Sequence, residues 1–196
     1  MKIIVNDGQF KTTVLFIHGY NKTGLDWNMT EHGKPIDIET HIRKSRNTVI
    51  VSLDNQDYRR PPDDVAKEIY DSIKHYKKII GVSHSYGAIF ATAICIMYPT
   101  LLTTIIMLDP TIKTNEFLNY LKSLSTSETN MYKINHYDLL PNYLAIPNHI
   151  IIIIHFNYEQ MDKSINQYIV ELDKMTRKNV KSRLIVHVII DDIKNY

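Results

Sequence analysis

The chain has 196 residues, of which 44% are hydrophobic and 22% charged, and its formal net charge is +2. That length suits one domain with one substantial core, and so small a charge gives no electrostatic case for a nucleic-acid partner. A single cysteine, Cys95, excludes a disulfide within the chain and points to a reducing, cytoplasmic setting.

The opening MKIIVNDGQF holds too short an apolar run for a secretory signal. The first predicted strand covers residues 13–18, and a weak helical pattern follows over 38–45. A second strand is expected over 48–53. Pro61, Pro62, Asp63 and Asp64 then give a helix start, and Val65, Ile69, Ile73 and Tyr76 recur on one face, so a helix is expected over 63–76. A strand over 78–82 leads into residues 86–98, which are apolar nearly all round and predict a buried helix ending before Pro99. Cys95 sits within it as a small core residue.

A strand over 103–108 precedes the one segment that breaks the alternation. Residues 111–147 hold a possible helix over 115–124, a Ser/Thr/Asn turn and a Tyr-rich stretch, and a connection this long suits a small lid. Strands are expected over 149–156 and 183–190, with an amphipathic helix over 162–175 between them. The aliphatic run at 150–154 is far short of the ~20 residues a membrane helix needs. Lys174, Arg177, Lys178, Lys181 and Arg183 form a basic stretch that reads as a solvated loop. The strands are short, β-branched and almost continuously apolar, as in parallel sheets covered on both faces. The class is therefore α/β, in one domain spanning 1–196.

Residues 79–90, IIGVSHSYGAIF, place a knot of Ser, His, Tyr and Gly between a buried strand and a buried helix. A serine at such a bend has its hydroxyl lifted clear of the sheet, beside the positive end of the next helix. The residues two before and two after must be small, because strand and helix backbones pass close there; they are Ser83 and Gly87. The arrangement resembles the nucleophile elbow, G-x-S-x-G, of the α/β-hydrolase superfamily, with Ser83 in place of the first glycine. TVLFIHGYN at 13–21 resembles the His-Gly pair that ends the superfamily's third strand. MLDP at 107–110 resembles the end of the strand after the elbow helix, and the insert at 111–147 stands where the superfamily carries its lid.

The resemblance covers about residues 11–190. It implies a mainly parallel twisted sheet with helices on both faces, and a serine hydrolase that cleaves carboxylic esters or thioesters without a cofactor. Ser85 would be the nucleophile, and the amides of Tyr20 and Tyr86 the oxyanion hole. His18 is expected to be structural. The acid is open among Glu159, Asp162 and Asp109: Glu159 follows the seventh strand, Asp162 competes with a helix cap, and Asp109 with a turn before proline. The base is open too. The superfamily's histidine sits on a loop after the last strand. His187 fits only if SRLIV is the strand and VIIDDIKNY a terminal helix; if 183–190 is all strand, His187 lies in its middle. His84 would line the pocket wall, His155 would pack, and His32, His41, His75, His136 and His149 show no metal-site spacing. Trp27, Tyr86, Tyr132, Tyr137 and Tyr143 suggest a small-molecule substrate with an apolar acyl or aryl part.

The alternative is a hydrolase-like protein that keeps the elbow but binds a ligand or a protein partner. A lyase or peroxidase on the same fold is a third reading. A Rossmann-like domain is disfavoured, since HGYNKTG has no glycine-rich phosphate loop.

Overall fold

The computed structural model describes residues 1–19, 28–31, 34–54, 56–110, 146, 149–157 and 184–191. Strand and helix alternate as the apolar runs require. The strands are β1 (Lys2–Asn6), β2 (Thr13–Ile17), β3 (Asn28–Glu31), β4 (Lys34–Asp37), β5 (Asn47–Ser52), β6 (Ile79–His84), β7 (Leu102–Leu108), β8 (His149–Asn157) and β9 (Leu184–Asp191). The helices are α1 (Ile38–Arg43), α2 (Pro62–Ile73) and α3 (Gly87–Met97), with a 3-10 turn at Asp57–Arg59.

Seven strands form one sheet in the order β1-β5-β2-β6-β7-β8-β9. β1 is antiparallel to β5, and every other pair is parallel. β3 and β4 form a separate antiparallel hairpin. β2 is buried at all five positions, as a central parallel strand must be. α2 buries Val65, Ala66, Ile69 and Ile73 on one stripe, while α3 is buried from Gly87 through Cys95. Both helices pack on the face that carries Leu15, Ile17, Ile105 and Met107. Ile42 of α1 joins Val14, Phe16 and Ile50 on the opposite face.

That division follows from chain direction. From β2 the chain crosses one way to β5 by α1, and from β5 and β6 it crosses the other way by α2 and α3. Right-handed crossovers in opposite directions put their helices on opposite faces. The connections leaving neighbouring β2 and β6 therefore diverge. Their divergence makes the carboxyl ends of these two strands the topological switch point, where open α/β sheets form a crevice and bind ligands.

β1 and the β3–β4 hairpin were not foreseen: β1 shows only half-buried and exposed side chains, so it lacks the continuous apolar signal. Of the two readings of the C-terminal segment, the strand over 183–190 matches β9, and the alternative of a helix from residue 188 does not. β9 stays in register with β8 from Ile150↔Leu184 to Asn157↔Asp191, and the ladder satisfies the backbone through Asp191. The expected lid at 111–147, apart from Ile146, the helix over 162–175 and the basic stretch at 174–183 lie outside the described residues.

Candidate active site

Ser85 stands at the crevice. It follows β6 directly and turns the chain into α3 with φ of 49°, a left-handed conformation that is unusual for a residue with a side chain. The Ser85 amide donates to the Leu108 carbonyl at 2.9 Å, and its own carbonyl accepts from the Ala88 amide at 3.1 Å. The bend is thus fixed on one side by the sheet and on the other by the helix. Holding such a backbone costs ~1–3 kcal/mol, and strain of this kind concentrates at functional sites.

Glycine is required two residues later. A Cβ on Gly87 would lie 2.5 Å from the Ile17 carbonyl oxygen and 2.6 Å from that of His18. The helix start therefore rests directly on the backbone leaving β2. Gly19 has the matching role across the crevice: a Cβ there would fall 2.9 Å from Ser85 Cβ and 3.0 Å from His84 Nδ1. Ser83 is fully buried, and its hydroxyl has no hydrogen-bond partner among the described residues. The position accepts a small residue and makes no use of the polar group.

His18 is structural, as expected. Its ring is buried, and Nε2 accepts the Leu53 amide at 2.8 Å. A backbone amide can only donate, so the ring proton is on Nδ1 and the imidazole is neutral. Nδ1 lies 2.8 Å from the Gly19 carbonyl oxygen, to which it donates. Tyr58, from the 3-10 turn, donates its hydroxyl to the same oxygen at 2.6 Å. Its ring meets Tyr86 edge-on at 5.6 Å and lies 6.1 Å from Phe90. No sequence signal marked Tyr58, which lies 40 residues from His18.

The turn that carries Tyr58 is itself tied down. Asp57 is buried; it accepts from the Asp54 amide at 2.9 Å and pairs with Arg60 at 3.1 Å. The amino group of Met1 lies 2.9 Å from its other contact oxygen, Oδ2. Asp54 accepts the Gln56 and Asp57 amides, and these hold its carboxyl below its ordinary value, Gln56 foremost. Arg60 is held up, first by its bond to Glu68.

The other expected residues divide by position. Asp109 directly follows β7, beside the elbow strand, with φ of 43°, and its amide donates to the Ile153 carbonyl at 2.8 Å. Two adjacent strands are thus each followed directly by a left-handed residue, at their carboxyl ends. Tyr86 follows Ser85, but its side chain is fully buried in the core. Its ring therefore does not line the crevice, which corrects the expectation of a pocket aromatic. His187 is the fourth residue of β9, opposite Ile153. It lies level with His84, with Leu108 and Ile153 between them on the intervening strands. Three strand spacings make roughly 14 Å of backbone separation from the elbow. Of the two readings left open for this segment, His187 therefore follows the one that puts it in the middle of a strand rather than at a junction. His155 is also a β8 strand residue, opposite Ile189. His41, His75 and His149 are exposed. Tyr20, Glu159, Asp162, Trp27, His32, Tyr132, His136, Tyr137 and Tyr143 lie outside the described residues.

Among the described residues no group of acidic, His or Cys side chains could hold a metal ion. No described helix is long and apolar enough to cross a membrane. A separate cleft of about 360 Å³ lies at the far end of the sheet, bordered by Tyr70, Lys74, Met97, Tyr98 and Leu101. It is remote from the elbow, and its stacked Tyr70–Tyr98 pair, 3.9 Å apart, reads as helix packing.

No family model and no curated protein matches the sequence. Solved structures do match the fold. A carboxylesterase of the thaumarchaeon Nitrososphaera gargenis superposes with a TM-score of 0.67 at 10% identity, over 96% of this chain and 85% of that one. S-formylglutathione hydrolase of Staphylococcus aureus gives 0.63 at 15% identity, over 93% and 76%. A lipase-esterase related protein of Clostridium acetobutylicum gives 0.61 at 15% identity, over 96% and 89%. With the sheet order, the crossovers and the strained serine bend, these likenesses establish that the chain has the α/β-hydrolase fold.

Proposed function

We propose that the protein is a serine hydrolase acting on carboxylic esters or thioesters, with Ser85 as nucleophile. The observation that carries the proposal is the Ser85 backbone. It has positive φ at the mouth of the crevice, packed against Gly19 and launched into α3 through a glycine nothing larger can replace. The fold's neighbours include carboxylesterases and a thioester hydrolase, which supports the reaction class.

In this reading the Ser85 Oγ attacks the acyl carbon as its proton passes to a base, and the carbonyl oxygen becomes an oxyanion. The Tyr86 amide, at the start of α3, and the amide of residue 20 stabilise that charge. The tetrahedral intermediate collapses, the alcohol or thiol leaves with a proton, and water then releases the acid from the acyl-enzyme. Asp109, Glu159 and Asp162 are the proposed carboxylates; Asp109 gains support from its place at the edge beside Ser85. His84 and His187 are the proposed bases, and the nearness of the His84 ring to Gly19, where an added Cβ would fall 3.0 Å from Nδ1, supports His84.

The mid-strand position of His187 favours a second reading, a binding protein with a retained elbow. A fluorophosphonate probe decides between them. Labelling that disappears in Ser85→Ala establishes the hydrolase, and labelling of His84→Ala against His187→Ala identifies the base. A folded protein that does not label establishes the binding reading.

A further inference from the structure

We propose that His18 is an acid-sensitive latch beside Ser85: its neutral ring joins the end of β5 to the end of β2, and a second ring proton breaks that join. The inference goes beyond the reaction and does not depend on the serine-hydrolase reading.

His18 directly follows β2, and it is only 1% exposed. The parallel ladder between β2 and β5 runs as far as Ile17↔Val51. Beyond that pair the imidazole carries the connection on. Its Nε2 accepts the amide of Leu53, the first residue after β5, at 2.8 Å. Its Nδ1 donates to the Gly19 carbonyl at 2.8 Å, and Tyr58 Oη lies 3.2 Å from Nδ1 and 2.6 Å from the same oxygen. The join lies next to the bend, since a Cβ on Gly19 would fall 2.9 Å from Ser85 Cβ.

Only a neutral ring makes both contacts. A protonated imidazole carries N–H on both nitrogens, so Nε2–H would face the Leu53 N–H, donor against donor in a buried site. Burial opposes the charge as well. The titratable groups packed around the ring do not offset this. The 3-10 turn brings the Tyr58 hydroxyl and the buried Asp57, and Asp57 is engaged by the Asp54 amide, Arg60 and the Met1 amino group. Asp54 accepts the Gln56 and Asp57 amides. β6 brings His84, whose Nδ1 would stand 3.0 Å from a Gly19 Cβ; a charged His84 repels a charged His18. Charging the ring therefore requires that it part from Leu53. The closed ring stays neutral, whereas an opened ring takes a proton near the ordinary histidine value of about 6.5. The opened state binds more protons, so closure is fully favoured above that pH and weakens as pH falls below it.

Native-state hydrogen exchange of the Leu53 amide, corrected at each pH for its intrinsic rate, is the test, because this amide is the group the ring holds. In wild type its protection is expected to fall about 30-fold between about pH 7.5 and about pH 5, as proton uptake by one opened histidine requires. His18→Gln supplies an acceptor that does not titrate, and its Leu53 protection is expected to change less than about threefold over the same range. Wild-type protection that stays constant, or an equal fall in His18→Gln, overturns the latch. If His18→Gln does not fold, long-range nitrogen NMR of the wild-type imidazoles decides the question. The expected result is a neutral His18, protonated on Nδ1, at the pH where the exposed His41 and His75 are half-protonated. A His18 that titrates with them while Leu53 stays protected overturns the latch. None of these readouts uses hydrolysis or the fluorophosphonate, so failure of the latch and failure of the hydrolase reading are told apart.

Discussion

Ser83 and Gly87 flank Ser85 symmetrically in sequence and differ in what their positions demand. Gly87 is a matter of space. A methyl group there meets two backbone oxygens at 2.5 and 2.6 Å, and backbone cannot turn aside as a side chain can. Gly87→Ala is expected to cost about 1–3 kcal/mol by overpacking and to lower fluorophosphonate labelling as the bend shifts; a urea titration with labelling checks both. Ser83 is a matter of polarity. Its buried hydroxyl has no partner among the described residues, and an unsatisfied buried group costs ~1–3 kcal/mol. Ser83→Ala is therefore expected to raise stability by about 1 kcal/mol, or about 2–4 °C in Tm for a chain of this size. A calorimetric Tm at or below wild type contradicts this. Cys95 completes the picture of the elbow helix. Burial pushes its thiol well above the ordinary value, so DTNB is expected to react only after denaturant is added.

At the scale of elements, the 3-10 turn between β5 and α2 joins the core to the site. Asp54 caps it by accepting the Gln56 and Asp57 amides, and the carboxyl is held low for that reason. A carboxyl with a lowered folded value contributes stability above its unfolded value of 3.8, and that contribution is lost as pH falls through the folded value. Asp54→Ala is thus expected to lower Tm at neutral pH and to differ less from wild type in acid. A gap that stays constant across the titration contradicts the capping role. The turn also shows where the sequence stops being informative. The central strands and α3 are legible because buried elements read as unbroken apolar runs, and the elbow is legible because its small residues are close in sequence. Tyr58 is not, since its partners His18 and Gly19 lie about 40 residues away, just past the end of β2. β1 and the β3–β4 hairpin lack the apolar continuity that marks buried strands. The placement of His187 required the β8–β9 register, a non-local quantity, to choose between strand and junction.

Across the whole molecule, the sheet is asymmetric in burial and hence in stability. β2 is buried at every position and hydrogen-bonds to a strand on each side, β5 and β6. β1 is an edge strand, joined among the described residues only to β5 and without a fully buried side chain. Local opening draws on the few apolar contacts that must break, so free energies of opening rise from edge to centre. Native-state hydrogen exchange should therefore find the amides of Leu15, Phe16 and Ile17 exchanging only with global unfolding. Those of Ile3 and Val5 should exchange at least tenfold faster, by fraying that leaves the rest intact. The site lies at the stable end of that gradient. Ser85 and Gly19 are attached to β6 and β2, the strands flanking the crossover reversal, so the crevice is held by the part of the sheet that opens last. The same experiment separates this from a uniformly cooperative sheet. If β1 amides are protected as strongly as those of β2, the edge strand is integral to the core, and destabilising it disturbs the Ser85 bend. If they exchange early, changes confined to β1 are expected to leave the fluorophosphonate reactivity of Ser85 unaltered.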